Sequence, residues 1–216
     1  MKNYILRSIN KNRHLRLFLS LYSVSKLFLQ DSGWKKSIHL KMPVDKVGAP
    51  IPWFTYSAIS FLESRITRSH KIFEYGSGNS TIWFSKLAQS VFSCEHDGVW
   101  YNLLQKKTNN IPNLTYILRQ DLKNDYINEI TNYTEMFDIV IIDGRNRVEC
   151  AKRSLIALKE NGVIVWDNSD RTKYQKGYDF LSEQGFKRID FSGMGPINPS
   201  KWTTSIFYRE NNCLAI

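Results

Sequence analysis

The sequence predicts an α/β fold, an open and mostly parallel sheet that helices cover on both faces. From residue 71 onward, short apolar runs alternate with longer amphipathic stretches, the pattern of strands connected by helices. The run FDIVII at 137–142 is apolar on both faces of a strand, as a central parallel strand requires. The last two β-rich runs flank a loop with Gly and Pro, which indicates an antiparallel hairpin at one edge of the sheet.

Each element follows from this pattern. Strands are predicted at 71–75, 91–95, 114–118, 137–142, 162–166, 186–193 and 203–210. Helices are predicted between them at 80–88, 98–109, 124–133, 147–159 and 173–184. A further helix is expected before the first strand, because Trp53, Ile59 and Ile66 recur at roughly helical spacing. We expect these elements to form one domain that spans 53–216.

The positive charge of the chain is concentrated at its start. Residues 1–41 carry nine Lys and Arg against the single acid Asp31, which is +8 of the total net charge of +10. We expect this segment to be a basic, amphipathic helical extension. Residues 42–52 (MPVDKVGAPIP) are rich in Pro and Gly and indicate a linker.

The most apolar window of the extension, 15–29, is too short to span a bilayer and contains Arg16 and Lys26. Its apolar face is expected to pack on the domain or on a second copy in a homo-oligomer, to lie on an anionic membrane surface, or to bind nucleic acid. Three scattered cysteines do not make a disulfide framework, which indicates a reducing compartment. We therefore expect a cytoplasmic protein, at most peripheral at the inner face of the membrane.

The stretch KIFEYGSGNST at 71–81 places Gly76 and Gly78 just past the first predicted strand. Open α/β sheets bind ligands where such a strand ends, and glycine permits a tight turn and close approach of a ligand to the backbone. Residues 79–81 (NST) favour the start of a helix, so free N–H groups are expected to face the same crevice.

An acid follows at the expected distance. Glu95 ends the second predicted strand, 19 positions after Gly76, where a carboxylate can accept the two hydrogens of a ribose diol. Thr81 stands where a dinucleotide site has a third small residue, and the lysine of a triphosphate-binding loop is missing. The pattern therefore favours a nucleoside that carries no phosphate.

The order of motifs FEYGSGNST, CEHD, RQD, IVIIDGRNR and GVIVWDNSDR, followed by a hairpin, resembles the class I S-adenosylmethionine-dependent methyltransferase family. The chain is similar in particular to uncharacterised bacterial methyltransferases of a small-molecule or saccharide type. The resemblance covers 53–216. It implies a Rossmann-like doubly wound sheet of about seven strands in the order 3-2-1-4-5-7-6, with strand 7 antiparallel.

The resemblance also implies site residues. Those expected to bind S-adenosylmethionine are Glu74, Gly76, Gly78, Asn79, Glu95 and Asp121. Asp143, just past the fourth strand, is expected to face the reacting methyl group and to act as a general base or as a metal ligand. His96 is a second candidate base.

A metal-dependent alternative stays open at this point. Metal-dependent O-methyltransferases resemble this arrangement, and Asp143, Asp167 and Asn168 would supply oxygen ligands for a Mg-like divalent ion. Arg145 and Arg147 could instead pair with Asp167 and Asp170 (DNSD), or clamp an anionic substrate.

The expected reaction is O-methylation of a small molecule or a saccharide. The residues expected to bind this acceptor are Trp53, Tyr56, Arg145, Arg147 and Trp202, together with the loop GMGPINPSKW at 193–202 that ends in Trp202. Two alternatives are an RNA-directed methyltransferase and a non-catalytic, cofactor-binding assembly partner. Nucleic acid is less favoured, because DGRN stands where methyltransferases of base amino groups have an Asn/Asp-Pro-Pro-aromatic motif.

Overall fold

The computed structural model describes residues 13–216. Its single seven-stranded sheet has the order β3-β2-β1-β4-β5-β7-β6, which confirms the expected order. The strands are β1 Lys71–Tyr75, β2 Ser90–Glu95, β3 Leu114–Leu118, β4 Phe137–Ile142, β5 Leu158–Asp167, β6 Lys187–Gly193 and β7 Trp202–Tyr208. The first five strands are parallel, and β7 is antiparallel to both β5 and β6.

Helices cover the sheet and extend from it at the N-terminal side. They are α1 Arg13–Ser23, α2 Leu29–Asp31, α3 Trp34–Leu40, α4 Tyr56–Glu63, α5 Asn79–Leu87, α6 Gly98–Thr108, α7 Asp125–Asn128, α8 Arg147–Ser154 and α9 Gln175–Glu183. A π-helical segment, Val24–Phe28, joins α1 to α2. In the described part of the chain, no helix combines the length and the apolar character needed to cross a membrane.

Two apolar cores lie on opposite faces of the sheet, and β4 contributes to both. Ile139 and Ile141 pack into one core, while Val140 and Ile142 pack into the other, as the two-residue period of a strand requires. All four side chains are fully buried. This alternation is the reason that β4 is apolar at successive positions.

The structure corrects three predicted helices and the strand that was expected at 162–166. The helix expected at 124–133 is α7 followed by a 3-10 turn, Glu129–Asn132, because three asparagines, which are poor helix formers, interrupt it. The helix expected at 147–159 ends at Ser154, since β5 already begins at Leu158. The register of β5 against β4 shifts after Leu158, so the polar residues 159–161 are accommodated within the strand. The helix expected before β1 begins only at Tyr56.

The segment 42–52 is an ordered loop packed on the domain rather than an extended connection. Val44 is buried and forms a β-bridge with Pro50. Asp45 Oδ1 accepts three backbone N–H groups of residues 47–49. The Asn79 side chain donates to the Pro43 carbonyl at 2.6 Å, which ties this loop to the start of α5.

Helix α3 is attached to the same loop. The Ser37 hydroxyl donates to the Val44 carbonyl at 2.8 Å, and the Val44 N–H donates back to it. Gly33, directly before α3, has φ +80°, and a Cβ there would lie 2.4 Å from the Val44 carbonyl oxygen. The chain from Gly33 onward is thus part of the packed domain, whereas α1 buries none of its residues.

Candidate functional site

Two adjoining cavities lie where the carboxyl ends of the parallel strands meet. The β2-side cavity, about 380 Å³, is lined by Gly76, Ser77, Glu95, His96, Asp97, Trp100, Asp143, Gly144, Arg145 and Arg147. The β5-side cavity, about 420 Å³, is lined by Trp53, Ser77, Trp100, Asp143, Arg147, Asp167, Asn168, Arg171, Asn198 and Trp202. Both volumes are in the range of small-molecule sites. The cavities share Ser77, Trp100, Asp143 and Arg147.

The glycine loop after β1 is positioned by its approach to the end of β4. Gly76 has φ +86°, and a Cβ on it would lie 2.7 Å from the Gly144 Cα. Only glycine fits here without strain. Gly78 differs, because its backbone is extended and a Cβ would meet nothing closer than 3.8 Å. Its N–H donates to the Thr81 hydroxyl at 3.0 Å.

Glu74 lies beneath this loop and lines neither cavity. Its fully buried carboxylate accepts hydrogen bonds from the hydroxyls of Ser80, Thr81 and Ser93 at 2.5–2.6 Å. Burial raises the pKa of Glu74 to about 7, and the three hydroxyls oppose that shift. Glu74 therefore supports the first turn of α5, and any effect on a ligand passes through the loop.

Glu95 lines the β2-side cavity and is almost completely buried. One carboxylate oxygen accepts the Ser77 N–H and hydroxyl, at 2.9 and 2.8 Å. The other accepts the N–H groups of His96 and Asp97. Since a carboxylate has about four acceptor positions, a ribose diol at Glu95 would compete with Ser77.

Three further residues predicted for the site lie in different places: the candidate base His96 and the expected cofactor residues Asn79 and Asp121. His96 lines the β2-side cavity, with its Nδ1 2.8 Å from Glu95 Oε1 but not aligned for a hydrogen bond. Asn79 faces the 42–52 loop. Asp121 is exposed outside both cavities, where the Asn124 amide and backbone N–H groups of the following turn lower its pKa.

Arg147 is buried at the centre of the site and clamps the ends of β4 and β5. Its guanidinium donates to the Asp143 carboxylate at 2.9 Å, to the Gly144 carbonyl at 3.0 Å and to the Asp167 carbonyl. The sequence-based pairing of Arg147 with the Asp167 carboxylate is thus replaced by an ion pair with Asp143. Burial raises the pKa of Asp143, and the charge of Arg147 opposes the shift.

Asp167 is the second carboxylate of the β5-side cavity. Its Oδ1 accepts the Trp202 indole N–H at 3.0 Å and the Thr204 hydroxyl at 2.6 Å. Burial raises the pKa of Asp167 to about 7, and the negative charge of Asp143 adds to the shift. Among residues 13–216, no hydrogen bond from another residue ends on its Oδ2, so the second oxygen is left for a ligand in the cavity.

The expected metal ligands do not form a convincing cation site. Asp143 is neutralised by Arg147, and Asp167 has two protein donors on one oxygen. No group of three His, Cys, Asp or Glu side chains within residues 13–216 converges in a way that could hold a metal. A hard divalent cation prefers several carboxylate or carbonyl oxygens that are not already paired with a cation. The donor set at Asp143, Asp167 and Asn168 does not fit such an ion.

The residues expected at the acceptor entrance divide into two groups. Trp53 and Trp202 line the β5-side cavity, and Arg145 lines the β2-side cavity. Tyr56 lies elsewhere, because its ring packs edge-on against Phe28 of the N-terminal extension, with ring centroids 6.3 Å apart. It lines a separate groove.

Sequence reasoning missed five residues that line the two cavities: Ser77, Asp97, Trp100, Gly144 and Arg171. Trp100 carried a usable signal, since it lies in the first turn after β2 and so at the carboxyl edge of the sheet. Its indole N–H donates to the Ser77 carbonyl at 2.9 Å. Asn198 belongs to the loop between β6 and β7, which was expected at the acceptor entrance and does reach the β5-side cavity.

No protein-family model and no curated protein sequence matches this chain. Solved structures do match. The precorrin-6y C5,15-methyltransferase of Geobacter metallireducens aligns with a TM-score of 0.56 and 16% identity over 69% of this chain and 86% of that one. A Streptococcus mutans protein solved in complex with SAH aligns with a TM-score of 0.52 and 20% identity over 69% and 94%.

The spermidine synthase of Thermotoga maritima also matches, with a TM-score of 0.54 and 18% identity over 71% of this chain. The alignment spans only 56% of that synthase. At these identities the likeness shows the fold, and proteins named for different group transfers share it. The chain thus has the Rossmann-like fold of class I methyltransferases, with both cavities at the carboxyl edge of its sheet.

Proposed function

We propose that this protein is an S-adenosylmethionine-dependent methyltransferase that acts on a hydroxyl group of a small molecule or a saccharide. The pair of adjoining cavities is the observation that supports this most directly. Transfer of a group between two bound molecules requires that their reacting atoms meet in line, and the shared wall at Asp143 and Ser77 is where they would meet.

The β2-side cavity suits a nucleoside without phosphate groups. Glu95 offers a carboxylate at the strand end, the Gly76 backbone can approach a ligand closely, and the Trp100 indole provides an apolar wall. S-adenosylmethionine supplies a methyl group on a sulfonium centre, which is electrophilic without further activation. The protein therefore needs only to orient the acceptor and to take its proton.

We assign the role of general base, the group that takes the proton of the acceptor hydroxyl, to Asp167. The sequence favoured Asp143 as the base, but Asp143 is ion-paired with Arg147, and this cation opposes the rise in the pKa of Asp143 that burial causes. The Asp167 carboxylate is oriented by Trp202 and Thr204, and its pKa of about 7 suits a general base at neutral pH. The acceptor hydroxyl would give its proton to this carboxylate while its oxygen bonds to the methyl carbon, and the bond between that carbon and the sulfonium sulfur would break to leave SAH as a neutral thioether.

The lining of the β5-side cavity suits a hydroxylated ring. Trp53 is 43% exposed, so its indole is available to cover the apolar face of a sugar or a flat ring. Trp202 is buried and contributes part of the cavity wall, where its bond to Asp167 orients it. Asp143 and Asp167 can accept hydrogen bonds from ring hydroxyls. Arg171 adds a cation at the rim.

Calorimetric titration with SAH tests the cofactor assignment. We expect the folded protein to bind SAH, and Glu95→Gln to weaken binding by roughly 10- to 100-fold, because a hydrogen bond to a charged group is lost. Ser77→Ala keeps the carboxylate and should bind at least as tightly as wild type. Glu183→Gln, on the exposed end of α9, is the control. A protein that is folded by circular dichroism and binds neither SAH nor S-adenosylmethionine contradicts the proposal.

The two alternative functions, an RNA-directed methyltransferase and a non-catalytic partner, predict different binding and activity for the same purified protein. An RNA-directed enzyme, which the basic extension favours, would bind RNA with an affinity that falls steeply with salt and is lost when the extension is removed. A non-catalytic partner would bind SAH but transfer no tritiated methyl group to any hydroxyl compound in an acceptor screen.

A further inference from the structure

The N-terminal helical rod, defined as residues 13–31, exposes an apolar surface that the domain does not cover. α1 has no buried residue, and the π segment and α2 have none either. Exposed fractions are 57% for Leu17, 64% for Phe18, 60% for Leu21, 55% for Tyr22 and 63% for Leu27. Such a continuous group of large apolar side chains marks an interaction surface.

The rod is amphipathic along α1. Arg13, Arg16, Ser20 and Ser23 are separated by three, four and three positions and so share one face of the helix. Leu17, Phe18, Leu21 and Tyr22 lie on the other side. Lys26 reaches back over the Tyr22 ring, with its Nζ 5.9 Å from the ring centroid, so its charge stays at the edge of the apolar surface.

The positive charge of the N-terminal extension indicates which partner covers the apolar surface of the rod. Residues 1–41 hold nine bases and one acid. A second copy of the rod would cover the apolar side chains but would offer the bases no partner of opposite charge. A nucleic acid backbone would satisfy the bases but leave the Leu and Phe side chains in water. An anionic lipid surface satisfies both groups at once.

We propose that the N-terminal rod lies in the plane of an anionic lipid bilayer, with its apolar side chains among the upper acyl chains and its bases at the headgroups. With 19 positions, the rod is roughly 28 Å long at helical rise, enough to lie along a surface. This proposal is independent of the reaction, because it uses no residue of either cavity.

The attachment of the rod relates this surface to the site. Gly33 breaks the helix in the left-handed conformation, and α3 then docks on the domain. The Trp34 indole N–H donates to the Asn198 carbonyl at 3.2 Å. Asn198 lines the β5-side cavity, so the docked end of the extension touches the rim of that cavity.

Co-sedimentation of the full chain with vesicles tests the proposal. Phosphatidylcholine vesicles with phosphatidylglycerol should bind wild type about tenfold or more better than phosphatidylcholine alone, and added salt should weaken the binding. Leu17→Ser/Phe18→Ser/Leu21→Ser should lose about tenfold or more. Arg13→Gln/Arg16→Gln/Lys26→Gln should reduce the preference for the anionic lipid, because three of the nine bases of residues 1–41 are removed.

The matched control is Val99→Ser/Leu103→Ser, which removes two equally exposed apolar side chains of α6 and should bind vesicles like wild type. The rod contributes nothing to the core, so the triple serine variant is expected to fold, and its melting curve checks this. Wild type that sediments no better with anionic than with neutral vesicles overturns the proposal. So does a lipid-free dimer that the triple serine variant abolishes, because the rod then covers a second copy.

Discussion

Glu74 and Asp167 are carboxylates that the fold removes from water. Both are nearly or fully buried, and among residues 13–216 no ion pair reaches either side chain. Hydroxyl and indole donors stabilise them instead. Donors of this kind only partly offset the loss of hydration, so each acid holds its proton to a higher pH than an exposed carboxyl group.

The raised pKa of Glu74 makes the stability of the fold depend on pH. Its pKa is 4.5 when exposed and about 7 in the fold. Between those values the folded protein keeps a proton that the unfolded chain has released, so the free energy of unfolding falls as pH rises, by at most about 3 kcal/mol. The side chain in Glu74→Gln is neutral at every pH, so this decrease in the free energy of unfolding should be absent in the variant.

Urea unfolding of wild type and Glu74→Gln at about pH 5 and about pH 8 measures the effect. The variant should gain stability relative to wild type at the higher pH. Glu183→Gln, exposed on α9, should follow wild type at both. Parallel pH dependences for wild type and Glu74→Gln would contradict the shifted pKa.

The raised pKa of Asp167 can be measured directly by an NMR titration. Carbon-13 NMR of protein labelled at the aspartate carboxyl carbon should show one group that titrates near pH 7 and disappears in Asp167→Asn. Thr204→Val removes a donor that favours the charged form, so it should move the midpoint higher. If all aspartates titrate below about pH 5, Asp167 is not suited to be the base.

Among the elements, the turn from β1 into α5 depends on one glycine. In Gly76→Ala the new Cβ is attached to a left-handed backbone and also comes too close to the Gly144 backbone. In Gly185→Ala the backbone is left-handed as well, with φ +80°, but no atom lies within 4 Å of the new Cβ. Urea unfolding should show a loss of about 1 kcal/mol for Gly185→Ala, the cost of the conformation alone. Gly76→Ala should lose at least about twice as much and should also lose SAH binding. Equal losses would show that the contact with Gly144 is unimportant.

The sequence predicted most elements because their patterns are local. The strands 71–75, 114–118 and 137–142 match β1, β3 and β4 to the residue, since each is a short apolar run bounded by polar residues. The start of β5 was predicted too late, because the polar Lys159 was assigned to the preceding helix and Glu160 and Asn161 to the connection after it, whereas a register shift against β4 accommodates all three in the strand. A register shift is a property of two strands, so one stretch of sequence does not reveal it.

The same reasoning explains what was missed at the site. Asp167 is oriented by Thr204, its partner in the antiparallel register of β5 and β7, and that register depends on the whole sheet. The Asp143 and Arg147 ion pair was missed too, because Asp143 lies in the loop before α8 and Arg147 is the first residue of that helix, so no helical spacing relates them. The strand-end acids and the glycine loop were predicted because their chemistry and their position both lie in local sequence.

For the whole molecule, the packed domain begins near Ser32. Removing residues 1–31 takes away the exposed rod and should change the melting temperature by about 2 °C or less. Removing 1–41 also takes away Ser37, Trp34 and the close packing at Gly33, and should lower it by roughly 5 °C or more. Differential scanning calorimetry of the two truncations compares them, and equal melting temperatures would place the boundary after α3, in the 42–52 loop.

The hydrogen bond from Trp34 to Asn198 joins the N-terminal extension to the edge of the acceptor cavity. If the rod rests on a bilayer, this cavity is held within a few residues of the lipid surface. An acceptor carried by that surface would then be met by lateral diffusion in two dimensions. For the protein bound to the membrane, turnover would then follow the number of acceptors per unit area of that membrane.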